Sequence, residues 1–203
     1  MNRVRRSLVI ALSLTPLAWR GAFARRDAPY SELNPPRPVE SEGKIEVLEF
    51  FWYGCIHCYN LEPKLDTWLK TKPADVAFRR VPAVLSDRWG HDAAVFYAFE
   101  ALGVLDKLHR PFFDAIHRDR LRSDNIQALN AWLEKNGVDP KKFDATARSF
   151  GVQSKVKRAI RLTSDYKIEG TPAMAVHGRY TVGASDAMLD TVNQLVASVR
   201  KKQ

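Results

Sequence analysis

Two cysteines three positions apart, in the run Cys55-Ile56-His57-Cys58, are the only ones in a chain of 203 residues. Thiols at this spacing can close a structural staple, hold a metal or exchange disulfides with other thiols. A staple gains stability through the unfolded chain as its loop lengthens, so a bridge over two intervening residues gains little. A zinc site needs further ligands, and His57, His91, His109, His117 and His177 include no ligand-like pair. Reversible thiol chemistry is therefore the favoured reading, with no metal and no cofactor besides the disulfide itself.

The flanking residues supply the geometry for that chemistry. Ile45 to Phe51 is an apolar, β-branched and aromatic run of strand length, and Gly54 provides a turn. From Cys58 onward, Leu61, Leu65, Trp68 and Leu69 recur at helical spacing, with Pro63 expected in an early turn or at a kink. The pair then sits at a strand-to-helix junction, both sulfurs on one side of the first turn and Cys55 at the helix N-terminus. Free backbone N–H groups and the positive end of the helix dipole favour an anionic sulfur there. Only the reduced form contains that thiolate, so a depressed pKa makes the disulfide a stronger oxidant. A depression of about three units below ambient pH is worth roughly 4 kcal/mol, or about 90 mV for a two-electron couple. His57, between the cysteines, is placed to give Cys55 a hydrogen bond or positive charge; the alternative is a solvated surface histidine.

The rest of the chain predicts a mixed sheet flanked by helices, an α/β fold. Val76 to Val81 reads as a second strand. Helices are expected at Asp92–Leu102, Leu105–Arg118, Asn125–Asn136 and Asp139–Asp165, the last broken near Gly151. Their apolar residues, Phe96, Phe99, Phe112, Phe113, Leu129 and Trp132 among them, imply a small core of their own. A tight turn at Gly170-Thr171-Pro172 feeds a strand ending at Val176, and proline leaves either isomer of the preceding bond open. Arg179–Val182 is a further short strand, and Ser185 is the expected N-cap of a helix from Asp186 to Val199. Asn34-Pro35-Pro36-Arg37-Pro38 reads as an extended lead into the first strand.

Composition narrows the class. With 45% apolar and 27% charged residues the chain is neither disordered nor collagen-like. Its 32 basic and 23 acidic side chains give +9, which alone would suggest nucleic acid or an anionic surface. Residues 1–24, however, have a basic head, an apolar run from Leu8 to Leu17 and the small-x-small ending Ala22-Phe23-Ala24, the pattern of a cleaved secretory signal peptide. About ten apolar residues are too few for a spanning helix, which needs ~20. This leader holds four arginines and no acid, so the remainder carries +5. The basic amphipathic run Lys155 to Arg161 reads as a solvated helix face, and no nucleic-acid partner is expected.

This order of elements resembles the thioredoxin fold, and the residues resemble the DsbA family of periplasmic disulfide oxidoreductases. The motifs that carry the likeness are Val47-Leu48-Glu49-Phe50-Phe51, Cys55-Ile56-His57-Cys58-Tyr59 with Glu62, and Gly170-Thr171-Pro172-Ala173-Met174 leading to Gly178-Arg179-Tyr180. The resemblance implies a thioredoxin-fold domain in two pieces, 25–85 and 165–203, around an inserted all-helical subdomain, 86–164. It implies that Cys55 forms mixed disulfides with client thiols, that Cys58 is its buried partner, and that His57 stabilises the Cys55 thiolate. Pro172 matches the family's cis-proline, which with Thr171 and Ile56 borders the client. Glu49 matches an acid beneath the site, Glu62 a nearby helix acid and Arg80 a neighbouring base. Without the family, Glu49 could equally face solvent, because alternation on a two-sided strand does not fix its face.

Ile56 stands where the best-known members have proline, and Thr171 where they usually have valine; both adjoin the sulfurs and bear on potential and partner preference. Trp52, Tyr53, Ile56, Tyr59 and Trp89 are expected to form an apolar surface around the exposed sulfur, suited to unfolded clients. The implied function is donation of the Cys55–Cys58 disulfide to newly exported proteins with free thiols, by a monomer in the periplasm of a Gram-negative bacterium. A membrane quinone-linked partner of the DsbB type would reoxidise it. A reductase or isomerase on the same fold, or more remotely a zinc-binding module, is the competing reading.

Overall fold

The computed structural model describes residues 28–202; the leader expected at 1–24 lies outside them. Five strands and seven helices follow in the order β1 (Ser31–Glu32), β2 (Ile45–Phe51), α1 (Ile56–Thr71), β3 (Val76–Pro82), α2 (Asp87–Ala101), α3 (Leu105–His117), α4 (Ile126–Lys135), α5 (Pro140–Ala147), α6 (Phe150–Asp165), β4 (Ala173–Val176), β5 (Tyr180–Val182) and α7 (Met188–Arg200). The sheet order is β1-β5-β4-β2-β3, with β2 parallel to β3 and antiparallel to β4. This is the mixed, helix-flanked sheet of the thioredoxin fold.

All seven residues of β2 are buried, because the central strand is covered on both faces. Ile45 and Val47 join one apolar cluster with Leu65 and Trp68 of α1 and Val192, Leu195 and Val196 of α7. Leu48, Phe50 and Phe51 join another, which runs without a break into Phe96, Phe99, Phe112, Phe113, Leu129 and Leu133 of the helices between β3 and β4. These helices therefore have no separate core, contrary to the sequence expectation: their aromatic face is the cover of the sheet.

Several boundaries depart from expectation for local reasons. The strand β1 was not foreseen; Ser31 and Glu32 pair with Thr181 and Tyr180 at the sheet edge. Helix α2 starts at Asp87 rather than Asp92. The expected break near Gly151 falls at Arg148 and Ser149, where the Ser149 hydroxyl accepts from the Val152 N–H and caps α6. Helix α7 starts at Met188 after Ala187, so Ser185 is not its N-cap and contributes only a carbonyl to the Met188 N–H. Pro63 lies well inside α1, where it removes the donor that would serve the Tyr59 carbonyl; Arg110 of α3 donates to that oxygen instead, at 3.3 Å.

Candidate active site

The site is built where β2 ends. Trp52, Tyr53 and Gly54 turn the chain into α1, with Cys55 as its N-cap in an extended conformation (φ −87°, ψ 114°). The Cys55 N–H donates to the Trp52 carbonyl at 3.0 Å, which closes the turn. Gly54 is required because a Cβ there would run into the Trp52 ring. Cys55 is half-buried, while Cys58, one turn on, has no exposed surface. Both are free thiols, with the Cys58 N–H donating to Cys55 Sγ at 3.4 Å. Across the sheet, the Thr171 carbonyl lies 3.3 Å from Cys55 Sγ. The Thr171–Pro172 bond is cis, an isomer the sequence left open, and Pro172 is buried.

These contacts separate the two thiols. The Cys55 pKa is lowered from 9.0 to about 5 by a hydrogen bond from the Cys58 thiol, then against partial burial by the Thr171 side chain and the backbone N–H groups of Cys58 and His57. Burial drives Cys58 the other way, well above the ordinary thiol range, reinforced by its bond to Cys55 and the nearby Cys55 charge. The pair thus holds one ionised sulfur near neutral pH, and it is the accessible one. Absorbance of the thiolate or the alkylation rate of reduced protein, followed against pH, is expected to titrate with a midpoint near 5; a single midpoint near that of a free thiol, about 8.5, would contradict the geometry.

His57 sits at the surface beside the cysteine pair. Its side chain is exposed and lines a cleft of about 460 Å³ with Asn60, Lys64, Pro172 and Ser185, and what it gives Cys55 is a backbone N–H. Ile56 is 47% exposed at the rim of the site. The expected aromatic surface is only partly present. Tyr53 is in the core, edge-on to Phe51 and Phe112, whereas Trp52 and Trp89 stack in parallel at 4.4 Å, both half-buried.

Beneath Cys58 lies a buried ionic cluster. Glu49 is fully buried, which settles the ambiguity of its strand, and sits 3.1 Å from Arg80 Nε. Glu62 lies 3.1 Å from another Arg80 nitrogen and 3.5 Å from His109 Nε2; the latter is an electrostatic approach rather than an aligned hydrogen bond. One guanidinium between two carboxylates supports one ionised acid. Glu49 is raised to about 8 by burial, which outweighs Arg80. Burial also pushes Glu62 up, but His109, Arg80 and Arg110 together hold it below the usual range. Burial lowers His109, opposed by the Glu62 carboxylate, and its Nδ1 lies 2.9 Å from the Tyr53 hydroxyl. His109 entered the sequence reading only as a conceivable zinc ligand, and the Tyr53–His109 pair was missed. Its one signal is the position of His109 on the Leu108-Phe112-Phe113 face of α3.

A family model described as a DSBA-like thioredoxin domain matches residues 90–195. Among curated proteins, the chain is 40% identical over 197 residues to a thiol:disulfide interchange protein DsbA of Bordetella parapertussis, covering 94% of each chain. It is 38% identical over 179 residues to the protein of that name from Azotobacter vinelandii, covering 86% of this chain and 84% of the relative. Among solved structures, Pseudomonas aeruginosa DsbA superposes with a TM-score of 0.80 at 35% identity, over 86% of this chain and 93% of that one. DsbA of Xylella fastidiosa gives 0.78 at 33%, over 85% and 95%.

Proposed function

Because the chain belongs to the DsbA-like family of thiol:disulfide interchange proteins, we propose that its Cys55–Cys58 disulfide is the group donated, with Cys55 facing the client. The protein is a dithiol:disulfide oxidoreductase. In one cycle a client thiolate attacks Cys55, the Cys55–Cys58 bond breaks, and the electron pair goes to Cys58, which takes up a proton. A second client thiolate then attacks the client sulfur of the mixed disulfide and releases Cys55 as a thiolate. The client leaves with a disulfide, and the enzyme with Cys58 as a thiol and Cys55 as a thiolate. Two electrons pass to the enzyme, one client proton goes to Cys58 and the other to solvent at neutral pH, and no further cofactor is needed for the balance.

The observation that carries this reading is the opposite displacement of the two thiols. Magnitudes separate oxidase from reductase. A pKa near 5 raises the thiolate fraction at pH 7 about 100-fold over that at pKa 9, but it lowers intrinsic nucleophilicity by roughly 40- to 100-fold. Attack by Cys55 on other disulfides therefore gains almost nothing. Departure of Cys55 as a stable thiolate gains throughout, and this is the step that oxidises a client. The sign of the linkage is that of a depressed pKa: stabilisation of the reduced form is complete above about 9 and vanishes as pH falls through about 5. At pH 7 half of the four-unit range applies, and after screening of a half-exposed sulfur about 1–2 kcal/mol remains, some 20–40 mV.

The clients that suit this site are exported proteins with free thiols, placing the enzyme in the periplasm as a monomer, with a membrane quinone-linked partner of the DsbB type restoring the disulfide. The apolar Ile56 at the rim and the clefts on either side of Pro172, of about 460 and 580 Å³, fit an extended segment without strict sequence demands. Equilibration with graded glutathione buffers tests the reading. A potential well above that of the glutathione couple is expected; one near thioredoxin's, about −270 mV, would mark a reductant and overturn it.

A further inference from the structure

Helix α2 carries a buried carboxylate that the exchange chemistry leaves unused. Asp92 is 1% exposed, and both of its oxygens are engaged. One accepts from the Trp52 indole N–H at 2.6 Å and the other from the Ser123 hydroxyl at 2.6 Å. Ser123 lies between α3 and α4, where its carbonyl also accepts from His91 Nε2 at 2.9 Å. Asp92 therefore ties three segments together, and only one of them, Trp52, belongs to the loop that presents the sulfurs.

Trp52 touches the redox pair through its backbone. Its carbonyl accepts from the Cys55 N–H at 3.0 Å, and its backbone is one of the groups that act on the Cys58 thiol, offsetting part of the effect of burial. Its ring, stacked on Trp89 of α2, covers Gly54. The next residue is held by the same group of helices, since His117 of α3 donates to the Tyr53 carbonyl at 2.8 Å. Backbone groups that support a thiolate act only as well as they are aimed, and a hydrogen-bonded, stacked indole has little freedom to let its own backbone drift.

We propose that Asp92 is a positioning residue for thiol exchange: by gripping the Trp52 indole it fixes the backbone that contacts Cys55 and Cys58, and so sets the balance between disulfide and dithiol from within the helical insertion. The inference rests on the exchange function of Cys55 and Cys58. A carboxylate serves here because both partners are donors and two acceptor oxygens on one carbon meet both.

The test is the glutathione equilibrium of the full protein and its variants, read alongside the Cys55 titration and thermal unfolding. Asp92→Ala removes both acceptors and is expected to shift the equilibrium toward the disulfide by about fivefold, the worth of one net hydrogen bond. Asp92→Asn keeps an acceptor for Trp52 and is expected to stay within about twofold of wild type. Trp52→Phe removes the donor but leaves a ring against Trp89, so it should shift the equilibrium like Asp92→Ala, and the double variant should shift no further than either single one. This second variant keeps the inference testable should Asp92→Ala not fold. A folded Asp92→Ala or Trp52→Phe protein with unchanged equilibrium would overturn it, as would full additivity. The position of the wild type against glutathione tests the oxidase reading separately, because the positioning role concerns only differences from it.

Discussion

With Cys58 replaced by alanine, oxidation of a reduced dithiol client is expected to fall to the uncatalysed rate, a loss of at least ~10³-fold, because bulk thiol replaces an intramolecular one of far higher effective concentration. The protein can then no longer store a disulfide. Cys55 still forms mixed disulfides when oxidised glutathione is supplied, and with Cys58 no longer able to expel them, adducts with a client that has a single thiol should persist on a non-reducing gel and add the client's mass. The variant has a second consequence, since the Cys58 thiol is the largest contributor to lowering Cys55. Its titration should therefore move up from about 5 in Cys58→Ala, whereas Cys58→Ser keeps a hydroxyl donor and should hold it lower. Wild-type oxidation rates in Cys58→Ala, or the absence of any trapped adduct, would remove the exchange mechanism.

Replacing Arg80 by methionine should destabilise the fold by about 3–5 kcal/mol in urea titration, the usual result of removing one partner of a buried ion pair. Its guanidinium is a counter-charge of Glu62 and the neighbour of Glu49, both buried. Glu49→Gln supplies the contrast. Glu49 is already protonated at neutral pH, so this variant is expected to be neutral or stabilising. Its effect on pH dependence has a definite sign. The folded protein holds the Glu49 proton up to about 8 while the unfolded chain releases it near 4.5, so this group lowers stability as pH rises between those values and not outside them. In Glu49→Gln that decline should disappear, leaving the opposite slope of Cys55, whose contribution grows from about pH 5 upward. An Arg80→Met protein as stable as wild type would mean that the two carboxyls find protons or other partners at no cost.

The covalent chemistry was legible in the sequence because it depends on neighbours in the chain. The Cys55 to Cys58 spacing, the strand before it and the turn at Gly54 are local, and the structure places them as expected. Thr171 and Pro172 were found by motif, and their approach to Cys55 across 116 positions becomes visible only in the folded sheet. What depends on facing was not legible: β2 is buried on both sides, so no alternation marks Glu49 as inward. His57 shows another limit, since its position between the cysteines suggested a hydrogen bond or charge from the imidazole, while the N-cap geometry adds its backbone N–H, a contribution that residue type does not announce. The Asp92–Trp52 and His109–Tyr53 contacts link α2 and α3 to a loop 40 and 56 residues earlier, beyond the reach of any spacing rule.

The sheet order also imposes a timetable. Cys55 and Cys58 leave the synthesis or export machinery early, whereas β4, which lies between β2 and β5 and is preceded by Thr171 and Pro172, comes more than a hundred residues later. Until that strand inserts, the Thr171 side chain cannot support Cys55, and Cys58 stands open at an unfinished sheet. Cys55 then lacks one of the groups that lower its pKa, and only the local ones, the Cys58 thiol and the N–H groups at the start of α1, remain. The full oxidising power of the pair is thus a property of the completed sheet, since one of its supports arrives only with the last third of the chain.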